Sequence, residues 1–367
     1  MATPAFAQAP AKVILIGFAG PLSEEPAQSA RDAALMAIQE INARSPQVAG
    51  EKVQFKLLDQ NDKADANIAA LTARYFVSSK VVGVIGHWNS ATSIAAARIY
   101  SDAGIVQISP SATASQYTQL GLSTAFRMVG HDGNRSSYIG RYAVNVLRAQ
   151  RILVIDDATS YGAGMADQFT TYVRTNSGLQ VSRGSISSKT SNFVPVLDLV
   201  RKTHPDLIFH AGRLFADGLT HGEGFVGGLA RLGYPGKLIL GEATIDPHSM
   251  RAAEAAGIDV YAVSPGTPLE KLPGYKVFQK NFSKDSTARI TPYTPAAYDA
   301  VYVLVDALQR AGSRDAQAVQ AALRKGRYNG VTGTIAFDGK GDLVDPRYTI
   351  YKIRQGAWVP LEVTNSK

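Results

Sequence analysis

The alternation of apolar strands with amphipathic helices constrains the fold of this chain more than any other feature of its sequence. Five apolar stretches in the first 130 residues alternate with segments of helical spacing, and the alternation begins again near Ile152. Strands that alternate with helices form parallel sheets with helices on both faces. We therefore predict an α/β protein with two doubly wound parallel sheets, one after the other along the sequence.

Each predicted sheet has five strands and is accompanied by four helices. For the first sheet the strands are Lys12–Gly17, Lys52–Leu58, Val81–Gly86, Val106–Ser109 and Ala125–Val129, and the helices are Ala27–Asn42, Ala64–Ser78, Ser90–Ala103 and Gly133–Leu147. For the second sheet the strands are Ile152–Asp156, Val181–Ser185, Leu207–His210, Leu238–Leu240 and Val260–Val263, and the helices are Gly164–Thr175, Val194–Arg201, Phe215–Leu232 and Pro247–Ala256. Two later helices, Pro292–Ala311 and Ala316–Lys325, precede Gly333–Asp338 and Tyr348–Arg354, which alternate like the strands of an antiparallel pair.

Length and apolar content favour two domains. The chain has 367 residues, of which 45% are apolar, and a single domain typically holds about 100–200 residues. Apolar runs such as Val13–Ala19 are far shorter than the roughly 20 residues that a helix needs to cross a bilayer. We expect two lobes and no membrane-spanning helix.

The first residues resemble the end of an export signal. Residues 2–11 lack the charged start and apolar centre of a signal peptide, but Ala5-Phe6-Ala7 has the small-x-small spacing of a cleavage site. We expect an exported, periplasmic protein whose mature chain begins at Gln8 or Ala9, with most of the signal removed and Met1 added for expression. The alternative is that residues 1–10 are an Ala/Pro-rich tail.

Several classes of chemistry find no support in the sequence. The chain has no cysteine, and its Lys and Arg residues are scattered despite a net charge of +8, so we expect neither disulfides nor a nucleic-acid interface. The segment Gly222–Gly227 matches GxGxxG but does not follow an apolar strand, as a dinucleotide site requires. HExxH, GxSxG, Walker and EF-hand motifs are absent, and the histidines lack paired metal-ligand spacing. We therefore expect no enzyme activity, no cofactor and no metal, and histidines that are exposed or hydrogen-bonded in the core.

The stretch Gly83–Thr92 predicts part of a binding site for a small anion. An apolar strand here runs into Ser90 and Thr92, which are good caps for the helix that follows. The amino end of that helix offers free N–H groups and a positive dipole to a carboxylate.

A second stretch, Gly104–Ala114, has the same pattern. Ser111, Ala112 and Thr113 follow its strand at the carboxyl end, which is where ligands of open α/β sheets bind. The two stretches together favour one anion site, and the alternative is that their hydroxyls only cap a helix and a turn.

Ten short motifs follow one another along nearly the whole chain. They are Ala19-Gly20-Pro21, Glu40-Ile41-Asn42, Gly86-His87 with Ser90, Ile108–Ala114, Arg127–Asp132, Tyr161-Gly162, Asp206–Gly212, Gly241-Glu242, Ala296–Asp299 and Gly333–Asp342. Each motif alone is weak. In this order they resemble the leucine/isoleucine/valine-binding family, the type I periplasmic solute-binding proteins of ABC importers.

The resemblance implies two lobes joined by a three-segment hinge near Gly130–Gly133, Val263–Gly266 and Lys340–Val344. It places residues 11–131 and 265–341 in the N-terminal lobe, and residues 132–264 and 342–367 in the C-terminal lobe. In this family the ligand lies in the cleft between the lobes, which close around it by a hinge motion.

The resemblance also implies which groups contact the ligand. The ligand carboxylate would meet the hydroxyl and backbone of Ser90 and the amide of Thr113. The α-ammonium would meet the Ser111 carbonyl, the Thr113 hydroxyl and the Glu242 carboxylate, for which the alternative is an exposed position. A zwitterion needs donors at one end and acceptors at the other, and these residues supply both.

Two further residues of the C-terminal lobe come from the same resemblance. Tyr161 would cover the bound amino acid, and its alternative role is packing. Asp132 would lie at the hinge edge of the cleft, and its alternative role is to cap the helix Gly133–Leu147.

Three positions depart from the family pattern and bear on specificity. Glu25 lies in a loop where the family has a tyrosine, and Arg213 stands where the family has a second tyrosine. Trp88 stands where a smaller group would be expected. Arg213 could receive a side-chain carboxylate, Trp88 could stack on an aromatic or guanidinium group, and Glu25 could receive a cation. The alternative for Arg213 is an ion pair with Glu242 or Asp217.

The favoured function is an extracytoplasmic receptor of an ABC importer that binds an α-amino acid, either branched-chain or with a side chain larger or more polar than that of leucine. Its partners would be that ligand and a membrane permease. One alternative is a receptor of the same fold for an aromatic or other small carboxylate, or for an amide. Another is a cytoplasmic ligand-sensing regulator, against which the absence of a DNA-binding segment argues.

Overall fold

Two largely parallel sheets organise the chain, which confirms the predicted fold class. The structure is a computed structural model that describes residues 11–187, 189–213, 224–241, 254 and 257–364. The described strands are β1 Lys12–Gly20, β2 Gln47–Val48, β3 Glu51–Asn61, β4 Gly83–Ile85, β5 Val106–Ser109, β6 Ala125–Arg127, β7 Ile152–Asp156, β8 Val181–Ser185, β9 Leu207–Ala211, β10 Lys237–Gly241, β11 Asp259–Pro265, β12 Tyr328–Gly330, β13 Gly333–Ile335, β14 Tyr348–Arg354 and β15 Ala357–Thr364.

The helices lie between these strands, as the sequence pattern predicts. They are α1 Glu25–Ala43, α2 Ala66–Ser78, α3 Ser90–Asp102, α4 Gln116–Gln119, α5 Asp132–Arg141, α6 Ser160–Ser177, α7 Val194–Thr203, α8 Phe225–Arg231, α9 Tyr275–Asp285, α10 Tyr293–Ala311 and α11 Ala316–Lys325. A π-helical turn, Tyr142–Val146, continues α5, and a 3-10 turn lies at Leu269–Lys271.

The chain divides into two units, each with one of the sheets. Unit 1 contains the described residues of Met1–Ser111, Thr118–Met128 and Leu272–Val344, and unit 2 contains those of Ala112–Tyr117, Val129–Lys271 and Asp345–Lys367. The sheet of unit 1 has the order β2-β3-β1-β4-β5-β6, in which only β2 is antiparallel to its neighbour. The sheet of unit 2 has the order β15-β14-β11-β10-β9-β7-β8, with β14 and β15 antiparallel.

Helix α10 forms much of the core of unit 1. Ala297, Val301, Leu304 and Leu308 follow one another at helical spacing and are fully buried. A Cβ at Gly83 would lie 2.7 Å from Leu304 Cδ2. The glycine therefore allows close packing of α10 against β4.

The sheet of unit 2 is covered on both faces. Along β7, Ile152 and Val154 belong to one apolar cluster, whereas Leu153 and Ile155 belong to another on the opposite face. Burial on both faces explains why this parallel strand is a continuous apolar run in the sequence.

The predicted antiparallel pairing of Gly333–Asp338 with Tyr348–Arg354 is wrong. β13 pairs with β12, while β14 pairs with β11 and β15. The Asp299 carboxylate accepts hydrogen bonds from the Val331 and Thr332 amides, at 2.9 and 2.7 Å, and so holds the turn that joins β12 to β13.

Other differences concern element boundaries. The predicted helix Gly133–Leu147 is helical as far as Val146, as α5 and then as the π-helical turn that continues it. Of the predicted helix Phe215–Leu232 the structure describes α8, and most of the predicted helix Pro247–Ala256 lies outside the described residues.

Asp65 caps α2 and offers a simple test of local stability. Its carboxylate accepts hydrogen bonds from the Asn67 and Ile68 amides at 2.8 and 3.0 Å. We expect Asp65→Ala to lower the free energy of unfolding of unit 1 by about 1 kcal/mol, because two amides at the helix start lose their acceptor. Urea unfolding would measure the change. The matched control is Asp102→Ala, since Asp102 is 68% exposed and lies 4.0 Å from Arg98. Equal effects of the two changes would contradict the prediction.

Candidate functional site

Hydroxyl groups fix the segment that leads into α3. The Ser93 and Ser109 hydroxyls both donate to the His87 carbonyl, at 2.9 and 2.7 Å, and the Ser111 hydroxyl donates to the Trp88 carbonyl at 2.7 Å. Three side chains thus hold two consecutive carbonyls in place ahead of the helix. This use of the Ser111 hydroxyl is a structural role that the sequence analysis did not predict.

The predicted capping roles of Ser90 and Thr92 are wrong. Asn89 occupies the cap position of α3, and Ser90 is the first helical residue. The Thr92 hydroxyl donates to the Asn89 carbonyl at 2.9 Å, so it faces back along the turn. Ser90 is buried at the amino end of the helix, where backbone N–H groups favour an anion.

His87 confirms the prediction of a histidine that is hydrogen-bonded in the core. Its ring is fully buried, with Nδ1 2.7 Å from Asp62 Oδ2 and Nε2 3.0 Å from the Tyr100 hydroxyl. These bonds anchor the segment between β4 and α3 to the rest of unit 1.

In unit 2, three predicted site residues lie around a residue that was not predicted, Arg135. Asp132 and Arg135 lie one helical turn apart in α5 and form a fully buried ion pair. Arg135 Nη2 lies 3.4 Å from Thr113 Oγ1, and the guanidinium carbon lies 5.3 Å from the centre of the Tyr161 ring. The structure therefore brings together Thr113, Asp132 and Tyr161 through Arg135.

Contacts at the start of α5 hold Asp132 and Thr113 close to each other. His131 caps α5, since its Nδ1 accepts a hydrogen bond from the Gly133 amide at 3.1 Å. The alternative role of Asp132 as the cap is therefore wrong. The Asp132 amide donates to the Thr113 carbonyl at 2.8 Å, so the backbone of Thr113 is tied to the start of α5.

A helix cap also positions Tyr161. Thr159 caps α6, its hydroxyl accepting a hydrogen bond from the Gly162 amide at 3.1 Å. Tyr161 therefore lies in the first turn of the helix. Arg135 is not among the predicted site residues, although the Asp-x-x-Arg spacing in Asp132–Arg135 indicates a helical ion pair.

Arg213 lies beside a buried carboxylate, Asp157. The Arg213 amide donates to Asp157 Oδ2 at 2.9 Å, and Thr159 donates to Oδ1 through its amide at 3.0 Å and through its hydroxyl at 2.6 Å. Two glycines make room for this carboxylate: a Cβ at Gly162 would lie 2.1 Å from Oδ1, and one at Gly212 would lie 2.4 Å from Cγ. Glu242 and Asp217, which the sequence analysis named near Arg213, lie outside the described residues.

Trp88 and Glu25 make contacts within unit 1. The Trp88 ring meets the Tyr293 ring edge-on, with 5.3 Å between ring centres. The Glu25 carboxylate accepts a hydrogen bond from the Arg289 amide at 3.1 Å and lies 3.9 Å from the guanidinium nitrogen Nε. The cation beside Glu25 is therefore the Arg289 side chain of the same protein.

Ala112, another predicted site residue, is buried in the segment that follows Ser111.

The described residues contain no cluster of three or more acidic or histidine side chains that could hold a metal ion. Among the helices that the structure describes, none has the length and apolar character needed to cross a membrane.

Two sheets of this topology, with their connecting helices, define a type I periplasmic binding protein fold of two lobes. The chain belongs to the periplasmic binding protein family, which it matches over residues 13–357.

The chain is similar to several known proteins of this fold. It is 30% identical to Leu/Ile/Val-binding protein homolog 1 of Brucella suis over 324 residues, which cover 88% of this chain and 84% of the relative. Among solved structures, the leucine binding protein LivK of Thermotoga maritima matches with a TM-score of 0.82 and 23% identity, over 96% of this chain and 99% of that protein. A solute binding protein of Rhodopseudomonas palustris in complex with p-hydroxybenzoic acid matches with a TM-score of 0.82 and 15% identity, over 97% and 98%. At these identities the two structures support the fold alone.

Proposed function

We propose that this protein is the periplasmic receptor of an ABC importer and that its ligand is an α-amino acid. The observation that carries the proposal is the match to a relative named for leucine, isoleucine and valine binding over most of both chains. Such a receptor performs no reaction. It changes conformation when it binds its ligand, and a membrane permease recognises the loaded form.

The chemistry of the predicted site residues supports a zwitterionic ligand. Ser90 lies at the amino end of α3, where backbone amides attract a carboxylate. The second set of predicted contacts, Thr113 and Tyr161, meets around a buried arginine in unit 2. We propose that the ligand contacts all three residues, with Glu242 for the ammonium and Arg213 facing the side chain. We propose that units 1 and 2 are the N-terminal and C-terminal lobes that the resemblance implies.

A small aromatic carboxylate is the second candidate. A protein of the same fold holds p-hydroxybenzoic acid, so the fold accommodates both ligand classes. With such a ligand Glu242 would have no ammonium to bind.

A thermal-shift screen would test the proposal. The purified protein would be heated with each of the twenty amino acids, with several aromatic carboxylates and with short amides. A ligand at 100 times its dissociation constant stabilises the folded state by about 2.7 kcal/mol, which raises the melting temperature by several degrees. A shift with one group of amino acids supports the proposal, whereas a shift only with aromatic carboxylates or amides would replace it with the second candidate.

Two substitutions would test the predicted contacts. We expect Ser90→Ala and Thr113→Ala each to weaken binding of the amino acid found in the screen by about 1–3 kcal/mol, because each removes a hydrogen bond to a charged group. Isothermal titration calorimetry would measure the change. Ser191→Ala is the matched control, because Ser191 is exposed, and full affinity of both site variants would contradict the placement of the ligand.

A further inference from the structure

We propose that unit 2 holds a second ligand site, for a small carboxylate on an apolar body, at the amino ends of its parallel strands. A cavity of about 440 Å³ lies there, between the ends of α7 and α8 and the starts of β7, β9 and β10, and ligand pockets typically have about 300–1,000 Å³. Tyr161 and Arg213, which we propose for the amino-acid site, follow the carboxyl ends of β7 and β9. The second site is therefore at the opposite edge of the same sheet, and it goes beyond the proposed function.

Hydrogen bonds to Asp206 tie together the strand starts that border this cavity. Its carboxylate accepts hydrogen bonds from the Gln150 and Arg151 amides, just before β7, at 3.0 and 3.1 Å. The Lys237 amide, at the start of β10, donates to the Asp206 carbonyl at 3.0 Å. Asp206 itself immediately precedes β9. Its negative charge is therefore engaged by backbone N–H groups at the edge of the sheet.

Much of the cavity lining is apolar. The apolar lining residues are Val200, Pro205, Leu232, Tyr234 and Pro235. The Tyr234 hydroxyl donates to the Lys237 carbonyl at 3.1 Å, so the polar end of this buried ring is satisfied and its carbon surface remains for packing. A Cβ at Gly236 would lie 2.3 Å from the Tyr234 hydroxyl oxygen. The glycine therefore allows the ring to lie against the turn before β10, and this lining can hold an apolar ligand body.

Arg151 supplies the positive charge that a carboxylate needs. It lies two residues before Leu153, and successive side chains of a strand point to opposite faces. Arg151 therefore shares the face of the apolar cluster that contains Leu153 and Val200. Its Nε donates to the His204 carbonyl at 2.6 Å, which holds the guanidinium at the end of α7. The two terminal nitrogens of Arg151 have no hydrogen-bond or ion-pair partner among the described residues.

Charge and geometry both favour a carboxylate in this cavity. Its lining includes three cationic side chains, Arg151, Arg201 and Lys237, against one carboxylate, Asp206. Arg201 is paired with Asp198 at 2.6 Å, whereas Arg151 keeps unused donors. The two terminal nitrogens of a guanidinium match the two oxygens of a carboxylate. Beside an apolar lining that excludes water, such a pair attracts more strongly than it does in bulk water.

Three matched probes would test the inference by nuclear magnetic resonance of the isotope-labelled protein. 3-Phenylpropanoate carries both the charge and the apolar body, 3-phenylpropanamide lacks the charge, and acetate lacks the apolar body. At millimolar concentration 3-phenylpropanoate should shift the amide signals of Leu232 and Gly236. We expect the other two probes to bind at least about tenfold more weakly, because each lacks one of the two groups that the cavity recognises.

Replacing Arg151 tests the role of the charge. We expect Arg151→Gln to weaken binding of 3-phenylpropanoate about tenfold and to change binding of 3-phenylpropanamide by less than about twofold, because only the acid loses charge-assisted hydrogen bonds. Circular dichroism would verify folding. The matched control is Arg231→Gln, since Arg231 ends α8, is exposed and does not line the cavity. This control should keep the affinity of the wild-type protein.

Pro235→Glu tests the same point while Arg151 stays in place. Pro235 is exposed and lines the cavity, so the substitution adds a carboxylate beside the ligand without changing a core side chain. We expect it to weaken binding of 3-phenylpropanoate about tenfold by charge repulsion, whereas the uncharged Pro235→Gln should change binding by less than about twofold.

The outcomes separate this site from the amino-acid site. If Thr113→Ala weakens binding of 3-phenylpropanoate and Arg151→Gln does not, the probe occupies the amino-acid site and the inference is wrong. Equal binding of the acid and the amide, equal binding of the acid and acetate, or no binding of the acid at millimolar concentration would also overturn it. Arg151→Gln should leave binding of the amino acid found in the thermal-shift screen unchanged, so failure of the proposed function in that screen is a separate result.

Discussion

Replacing Arg135 with alanine is expected to lower the free energy of unfolding of unit 2 by about 3–5 kcal/mol, because it takes the cation away from a fully buried carboxylate, Asp132. A typical domain is stable by only about 5–15 kcal/mol, so the variant loses a large share of its stability. Urea unfolding followed by circular dichroism would measure this loss.

Two comparisons identify burial as the cause. Arg201→Ala removes an ion pair with Asp198 whose side chains are 61% and 58% exposed, and exposed pairs contribute at most about 1 kcal/mol. The Asp132→Asn, Arg135→Gln double variant should be more stable than Arg135→Ala, because no lone charge is buried. A loss no larger for Arg135→Ala than for Arg201→Ala would refute the prediction.

The second large effect is a loss of stability on acidification that depends on His210. This side chain is fully buried in β9, and its ring nitrogens have no hydrogen-bond partner among the described residues. For His210 the expectation of a histidine that is exposed or hydrogen-bonded in the core is therefore wrong. Burial lowers the pKa of His210 from 6.5 to about 4, while the nearby Asp157 and Asp156 carboxylates oppose the shift. The folded state therefore keeps the ring neutral where the unfolded chain binds a proton.

The sign of the effect follows from this difference in pKa. Above pH 6.5 the ring is neutral in both states and stability is unaffected. Between pH 6.5 and 4 only the unfolded state is protonated, so stability falls as the pH falls. A difference of about 2.5 units corresponds to about 3 kcal/mol.

A variant without the ionisable ring isolates this contribution. Urea unfolding of the wild-type protein and of His210→Leu would be compared between pH 7.5 and 4. We expect the wild-type protein to lose about 3 kcal/mol more than the variant over this range. Parallel pH profiles of the two proteins would show that His210 does not contribute.

The fold was largely predictable because buried parallel strands leave continuous apolar runs in the sequence. β5 and β7 are fully buried and have the predicted boundaries, and turn-forming or helix-starting residues bound each run. β8 also has the predicted boundaries, although it lies at the edge of its sheet and has the mostly polar sequence VSRGS. The pairing of β13 was not predictable in this way, because it depends on Asp299, more than thirty residues away, which holds the turn.

The candidate site was predictable only in part, for a related reason. Thr113, Asp132 and Tyr161 could be named from motifs, but their meeting point is Arg135, whose importance comes from burial and from contacts between α5, α6 and the segment after β5. Similarly, the sequence position of Asp132 is typical of a helix cap, but in the structure the neighbouring His131 caps α5. Side-chain roles that depend on neighbours distant in sequence leave little local pattern.

The close fit of Asp157 between Gly162 and Gly212 has a consequence for changing ligand preference. Neither glycine can gain a side chain while the Asp157 carboxylate stays in place. Each of these two glycines is next to a residue that we propose for the ligand site, since Tyr161 precedes Gly162 and Arg213 follows Gly212. A mutant library aimed at new specificity in unit 2 should therefore vary Tyr161 and Arg213 and hold the glycines and Asp157 constant. Such a library would change the side chains at positions 161 and 213 and leave the backbone around Asp157 as it is.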